Sequence, residues 1–308
     1  MKSGQPKNVA ASVKQRLLDL ARERGEEFNL LLIRYAIERF LYRLAQSEQA
    51  DAFVLKGAIL FQMWAEIPHR PTRDVDLLGS GSPDLARMED IFRKICGLKV
   101  EDDGLEFNAA SVRATRIREE AEYQGIRLHL QAHLGTARVQ VQVDIGFGDA
   151  ITPKPKKRNF LTLLDFSAPR LLIYPWETVI AEKYQALVER DMANSRMKDF
   201  FDLRYMAKEF EFDGTILSKA IQATFKRRKT DLPDTLPTAL SEKFTEDAMK
   251  RTQWEAFRRR SRLGDLNVTL SQVAVEIWSF VQPVTDSLRG GKSLDMTWPP
   301  GGPWRKRK

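Results

Sequence analysis

The sequence predicts an α/β core followed by a helical lobe, and three observations carry that prediction. Residues 51–79 read as a short apolar strand, a glycine turn, a helix and a second strand. Between Val112 and Phe147 apolar and polar residues alternate, as half-buried strands require. From Trp176 onward the apolar residues recur at helical spacing instead. This reading divides the chain into a core over 1–165 with two N-terminal helices, a helical lobe over 166–285 that completes the active-site groove, and a basic Gly/Pro-rich tail over 286–308 expected to be flexible.

The elements follow in order. Residues 9–24 and 28–47 carry Val13, Leu17 and Leu20, then Leu30, Leu31, Ile33, Phe40 and Leu44, at the spacing of two amphipathic helices that meet near Gly25. A strand at Ala52–Leu55 runs into Gly57-Ala58, where a helix begins with Ile59, Leu60, Met63 and Trp64 inward. A glycine at that junction lets backbone approach a ligand and aims N–H groups at an anion. The next strand carries Asp74 and Asp76 on one face, with Val75 and Leu77 on the other. A helix at 84–95 and strands at Val112–Ile117, Ile126–Leu134 and Arg138–Phe147 come next. Helices are expected at 213–228, 241–260 and 268–282.

Two carboxylates side by side repel each other, and the usual compensation is a hard divalent cation shared with substrate phosphates. The same pair also fits a polar strand edge in which the acids pair with Arg70 and Arg73. Asp144, the one acid on an apolar-and-glutamine strand, offers a third carboxylate, or is simply a solvent-facing residue. Lys183 and Arg190 lie about two turns apart on the Trp176 helix, and Arg196, Asp199 and Asp202 recur at intervals of three. They suit the charge of a triphosphate, and equally a salt-bridge network between two helices. His129 and His133 alternate with Arg127 and Gln131 on the polar face of a strand, so they read as surface residues rather than zinc ligands.

The net charge of +8 favours an anionic partner, nucleic acid or nucleotide. Lys154, Lys156, Lys157 and Arg158 in the loop 148–159, with Arg227 and Arg228 at a helix end, are candidate RNA contacts or solvated charge. The single cysteine, Cys96, lies in an apolar run and reads as a buried inert thiol, which fits a reducing cytoplasm. No stretch is apolar enough for a membrane span or a signal peptide, so no membrane partner is expected. The string Gly290-Gly291-Lys292-Ser293 lacks the earlier glycine of a phosphate-binding loop, Asp286 standing there instead.

Taken as an ordered set, RPTRDVDLL, QVDIGFG, ETVIAEKYQAL and MKDFFDL resemble the AbiEii/AbiGii toxin family of nucleotidyltransferases, which includes the MenT-like toxins and falls in the DNA polymerase β superfamily. The resemblance covers roughly residues 50 to 210. It implies a polymerase β-like mixed-sheet core, metal-binding acids at Asp74 and Asp76, a triphosphate lysine at Lys183, and a helical-motif acid at Asp199 followed by Asp202. Asp144 matches the superfamily's third strand acid. Where that superfamily commonly has Gly-Gly or Gly-Ser, this chain has Gly57-Ala58, which removes a hydroxyl contact. The family further implies Mg²⁺ or Mn²⁺, an NTP substrate, a cognate antitoxin, and for some members transfer onto the 3′ end of tRNA.

The resemblance, set beside these readings, implies a cytoplasmic toxin that uses Asp74 and Asp76 to transfer a nucleotide to an RNA. Two alternatives use the same residues. One is kinase-like transfer of the γ-phosphate. The other is a catalytically silent RNA- or protein-binding module on the same fold.

Overall fold

The computed structural model describes residues 8–64, 73–118, 124–261 and 268–307. Arg70, and with it the start of the RPTRDVDLL motif, lies outside the described residues. The chain forms two compact units, one of 1–148 with 156–173 and one of 149–155 with 174–308.

In the first unit α1 (Val9–Arg24) starts at Asn8, whose side chain accepts from the Ala11 N–H, and stops at Gly25 in the left-handed conformation. Helix α2 (Phe28–Gln46) is buried along most of its length, including Leu31, Tyr35, Phe40 and Leu44. The sheet strands are β1 (Phe53–Lys56), β2 (Asp74–Gly79), β3 (Leu105–Arg118), β4 (Gln124–Leu134), β5 (Ala137–Phe147), β6 (Lys156–Asn159) and β7 (Arg170–Ile173). A short α3 (Phe61–Trp64) follows β1, and α4 (Leu85–Cys96), capped by Asp84, follows β2.

The strands form one mixed sheet in the order β3-β4-β5-β2-β1-β7-β6, with β2 parallel to β5 and β1 parallel to β7. Leu55, Val75, Leu77, Leu128, Val141 and Val143 are buried on one face, where α2 packs on β5 and β7. The other face is polar along β4 and β5, because the alternation read from the sequence holds through both strands.

Under the helices lies a buried ionic cluster. Arg39 donates from Nε to Asp103 Oδ2 at 2.8 Å and from Nη2 to Glu101 Oε1 at 2.9 Å, while Arg43 donates from Nη1 to Asp103 Oδ2 at 2.7 Å. Glu38 Oε2 accepts from the Leu163 N–H at 2.7 Å, and its Oε1 finds no hydrogen-bond partner among the described residues. Cys96 is buried as expected, and burial pushes its thiol up to about 12.

The second unit packs α5 (Trp176–Arg190), α6 (Met197–Glu209), α7 (Gly214–Arg227), α8 (Glu242–Thr245), α9 (Ala248–Arg260) and α10 (Leu270–Arg289) with the short strands β8 (Phe212–Asp213), β9 (Met296–Trp298) and β10 (Arg305–Lys306). Tyr184 of α5 and Thr285 of α10 share a buried hydrogen bond of 3.0 Å.

Four expectations need correction. The helix expected at 241–260 is two helices, because Asp247 turns its side chain onto the Lys250 N–H and caps a new start. Helix α10 does not stop at 282 but continues through Pro283, and the added turns bury Val284, Thr285 and Leu288. Part of the loop expected over 148–159 is β6, which pairs with β7 at the sheet edge, and residues 170–173 therefore belong with the sheet rather than the helical lobe. The tail 286–308 is folded: β9 pairs with both β8 and β10, Trp298 donates to the Ala207 carbonyl at 2.6 Å, and the Trp304 ring stacks on Phe280. Its composition is that of a loose tail, but its two tryptophans find apolar partners.

Candidate active site

The β2 acids stand as the alternation requires, with Val75 and Leu77 in the core, Asp74 exposed and Asp76 partly buried. In the parallel pairing of β2 with β5, Asp74 is opposite Gln142 and Asp76 is opposite Asp144. In the antiparallel pairing of β4 with β5, Arg127 is opposite Asp144. On the other side Lys56, the last residue of β1, is opposite Asp76. Directly paired residues share a face, so one row across the sheet reads Arg127, Asp144, Asp76, Lys56: two acids flanked by two cations.

Gly57 is what admits Asp76 to that row. Its φ of +79° and ψ of −166° suit glycine alone, and a Cβ there would lie 1.9 Å from Asp76 Oδ2. The glycine expected to bring backbone near a phosphate thus also makes room for a carboxylate. Ala58 opens a 3₁₀ turn, Ala58–Leu60, that leads into α3.

Asp144 is heavily engaged. Arg127 donates from Nε to Oδ1 at 2.8 Å and from Nη2 to Oδ2 at 2.7 Å, and the Gln142 amide approaches Oδ1 at 3.3 Å. The hydrogen bonds to Asp144, with further attraction from Asp74 and Asp76, hold the Arg127 guanidinium above its ordinary pKa. The chemistry of the donor set fits a divalent cation at Asp74 and Asp76: hard carboxylate oxygens on one strand face. A cluster of three or more candidate ligands is not assembled among the described residues. Asp144, expected as the third acid of the set, is held by Arg127.

The helical residues form a second constellation. Lys183 Nζ on α5 donates to Asp199 Oδ1 on α6 at 2.6 Å and lies 2.8 Å from Asp202 Oδ2. Arg196, which precedes α6, donates from Nε to Asp199 Oδ2 at 2.5 Å. Asp199 and Asp202 are 1% and 0% exposed. Burial alone would push the Asp199 carboxyl up, but Lys183 and then Arg196 outweigh it and hold the group below the ordinary aspartate range. Arg190 ends α5 two turns beyond Lys183 and is partly exposed.

The candidate RNA contacts differ in exposure and pairing. Lys154, Lys156, Arg158 and Arg227 are exposed. Lys157 pairs with Asp51 at 2.7 Å. Arg228 is mostly buried and donates to Gln185 Oε1 at 2.8 Å and Asp149 Oδ1 at 3.1 Å, which makes it an internal tie. His129 is exposed on the polar face of β4, as expected.

Sequence reasoning missed Arg127 and Lys56. Arg127 was legible: a two-residue turn at Gly135-Thr136 fixes the β4–β5 register, and counting back along both strands brings Arg127 opposite Asp144. Lys56 had only its place beside Gly57 as a signal.

Residues 39–281 match the family described as nucleotidyl transferase AbiEii toxin, type IV TA system. No curated protein matches the chain. Among solved structures, a Helicobacter pylori protein described as a nucleotidyltransferase shares 14% identity at a TM-score of 0.45, covering 83% of this chain and 95% of its own. JHP933 from Helicobacter pylori shares 14% identity at a TM-score of 0.44, covering 82% of this chain and 90% of its own.

Proposed function

The chain belongs to the AbiEii family of nucleotidyltransferase toxins of type IV toxin–antitoxin systems, and from that premise we propose that it transfers a nucleoside monophosphate from an NTP to an RNA, the 3′ end of a tRNA, with Asp74 and Asp76 at the reacting phosphate. The observation that carries this reading is the shared row of Asp76 and Asp144, with Asp74 on the same face and Gly57 cleared for the Asp76 carboxylate. Family membership implies an NTP substrate, a divalent cation and an antitoxin partner. Among the described residues no helix is long and apolar enough to cross a membrane.

Asp74 and Asp76 would hold Mg²⁺ or Mn²⁺, which when bound supplies charge neutralisation and Lewis-acid activation at the α-phosphate. The bare Cα of Gly57 leaves room for the Asp76 carboxylate in this position. Lys183, with Arg190 beyond it on the same helix, is assigned to the triphosphate charge, and Asp199 orients Lys183. The exposed cations Lys154, Lys156, Arg158 and Arg227 suit the acceptor's phosphates, and the net charge of +8 supports an RNA acceptor.

The test is incubation of the purified protein with Mg²⁺, total tRNA and each α-labelled NTP in turn, followed by a denaturing gel. Label is expected on RNA with wild type and absent with Asp76→Ala, a loss of at least about a thousandfold. Because Asp76 lies on a partly exposed polar face, the variant keeps its thermal midpoint. Full transfer by Asp76→Ala sinks the assignment. Label from γ-labelled NTP alone turns the reading to phosphoryl transfer, and label on the protein turns it to a protein acceptor.

A further inference from the structure

We infer that Asp144 is not a third ligand of the cation but the anchor that aims Arg127 at the phosphates of the bound nucleotide. The inference rests on the Asp74/Asp76 reading and adds a residue that none of the family-like motifs contains.

Three observations carry it. The Asp144 carboxylate is gripped through both oxygens by one guanidinium edge, Nε and Nη2, at 2.8 and 2.7 Å. This fork-on-carboxylate geometry is among the strongest charge-assisted pairings available to side chains, and a cation at Asp144 would stand beside the positive charge of Arg127. The remaining nitrogen, Nη1, donates to nothing among the described residues, and the Arg127 side chain is 40% exposed. The pair also stands in the same row as Asp76, immediately beside it.

A structural role accounts for the edge of the guanidinium that grips Asp144, and it leaves the other edge unused, on a side chain 40% exposed on the polar face of the sheet. An arginine anchored on one edge and open on the other has a donor fork left for a planar or tetrahedral oxyanion, and phosphate is the oxyanion that the neighbouring acids imply. Asp144 is then a positioning residue and Arg127 the group that touches substrate.

The test compares Asp76→Asn, Asp144→Asn, Arg127→Gln and the double variant Arg127→Gln/Asp144→Asn. Mn²⁺ affinity is read by electron paramagnetic resonance without nucleotide, and NTP affinity by calorimetry with whichever of ATP, GTP, CTP or UTP binds wild type. The double variant removes a neutral pair and leaves two amides able to hydrogen-bond each other, so it is expected to fold and to bind Mn²⁺ within about threefold of wild type. Arg127→Gln is expected to weaken the NTP at least about tenfold, the worth of one charge-assisted hydrogen bond. Asp144→Asn should weaken it by a similar factor, and the double variant no further than Arg127→Gln alone.

Loss of Mn²⁺ binding by the double variant to the level of Asp76→Asn makes Asp144 a cation ligand and overturns the inference. Unchanged NTP affinity in Arg127→Gln overturns it too. Undiminished Mn²⁺ binding by Asp76→Asn instead overturns the underlying carboxylate reading, so the two failures are distinguishable.

Discussion

The polar row on the sheet and the ionic knot on the helices are built from the same residue types, aspartates with lysine and arginine, and they differ in what water can reach. On the sheet Asp74 is exposed, and Asp144 and Arg127 are 20% and 40% exposed. On the helices Asp199 and Asp202 are buried completely, and Lys183 and Arg196 answer their charge within the protein. An exposed acid row can take a cation from solution without first breaking the fold. A buried one is committed: its partners repay a desolvation cost, and removing one of them strands the rest. The sheet row is therefore read as chemistry held in reserve. The knot is read as a structural joint between α5 and α6 that also fixes the Lys183 ammonium.

The variant that tests this contrast most severely is Lys183→Met. It leaves Asp199 and Asp202 buried, with Arg196 still bonded to Asp199, and a loss of about 3–5 kcal/mol in folding stability is expected at neutral pH. Urea denaturation monitored by circular dichroism measures it, with Asp74→Ala, expected to cost less than about 1 kcal/mol, as the sheet counterpart. Should Lys183→Met unfold at the wild-type midpoint while losing NTP affinity, the knot is not a joint, and Lys183 belongs wholly to the substrate.

A smaller effect is expected where backbone geometry, not charge, supports the row. Gly57→Ala places a methyl group 1.9 Å from Asp76 Oδ2, at a φ of +79° that L-residues avoid. The Asp76 carboxylate must swing away, and a fall of about a hundredfold in kcat/KM is expected, about 2.7 kcal/mol of transition-state stabilisation. Mn²⁺ affinity should fall with it, since both effects share one cause. Wild-type turnover by Gly57→Ala would mean that the carboxylate does not work from the position it occupies here.

What the sequence disclosed follows from how local each signal is. The end of α1 was legible because Gly25 is a terminal signal that acts within a few residues. The Asp74/Asp76 face was legible because strand alternation needs no partner. The Arg127–Asp144 pair needed one further step, the register of a hairpin. Strands β6 and β7 were missed because four residues each, one of them the string KKRN, carry no usable periodicity; pairing of β7 with β1, and of β6 with β7, makes them strands. The fold of the tail was hidden for the same reason. Trp298 and Trp304 are anchored by Ala207 and Phe280, far away in sequence, and composition reports nothing of such contacts.

Glu38 and Asp199 sharpen the contrast with the smallest of the expected effects. Both carboxyls are buried, yet they shift in opposite directions. Asp199 has two cations bonded to it and is held low. Glu38 is pushed up to about 7, chiefly by burial, against the Leu163 N–H and against Arg39, which pairs with it at 3.7 Å while its shorter bonds go to Asp103, Glu101 and Ser167. The signs of the pH dependence follow. The contribution of Asp199 is present above the ordinary aspartate value and is lost only as pH falls through its lowered one. Glu38 binds its proton more tightly in the folded chain than in the unfolded one, so its contribution is complete below 4.5 and fades as pH rises toward about 7. Between about pH 5 and pH 7 wild type should therefore lose about 2 kcal/mol that Glu38→Gln does not lose, because the glutamine keeps an acceptor for Leu163 and has no proton to release. Thermal midpoints of the two proteins across that range decide it. Parallel curves would mean that Glu38 ionises without cost in its buried place, and that burial alone does not separate the closed ionic clusters of this protein from its open one.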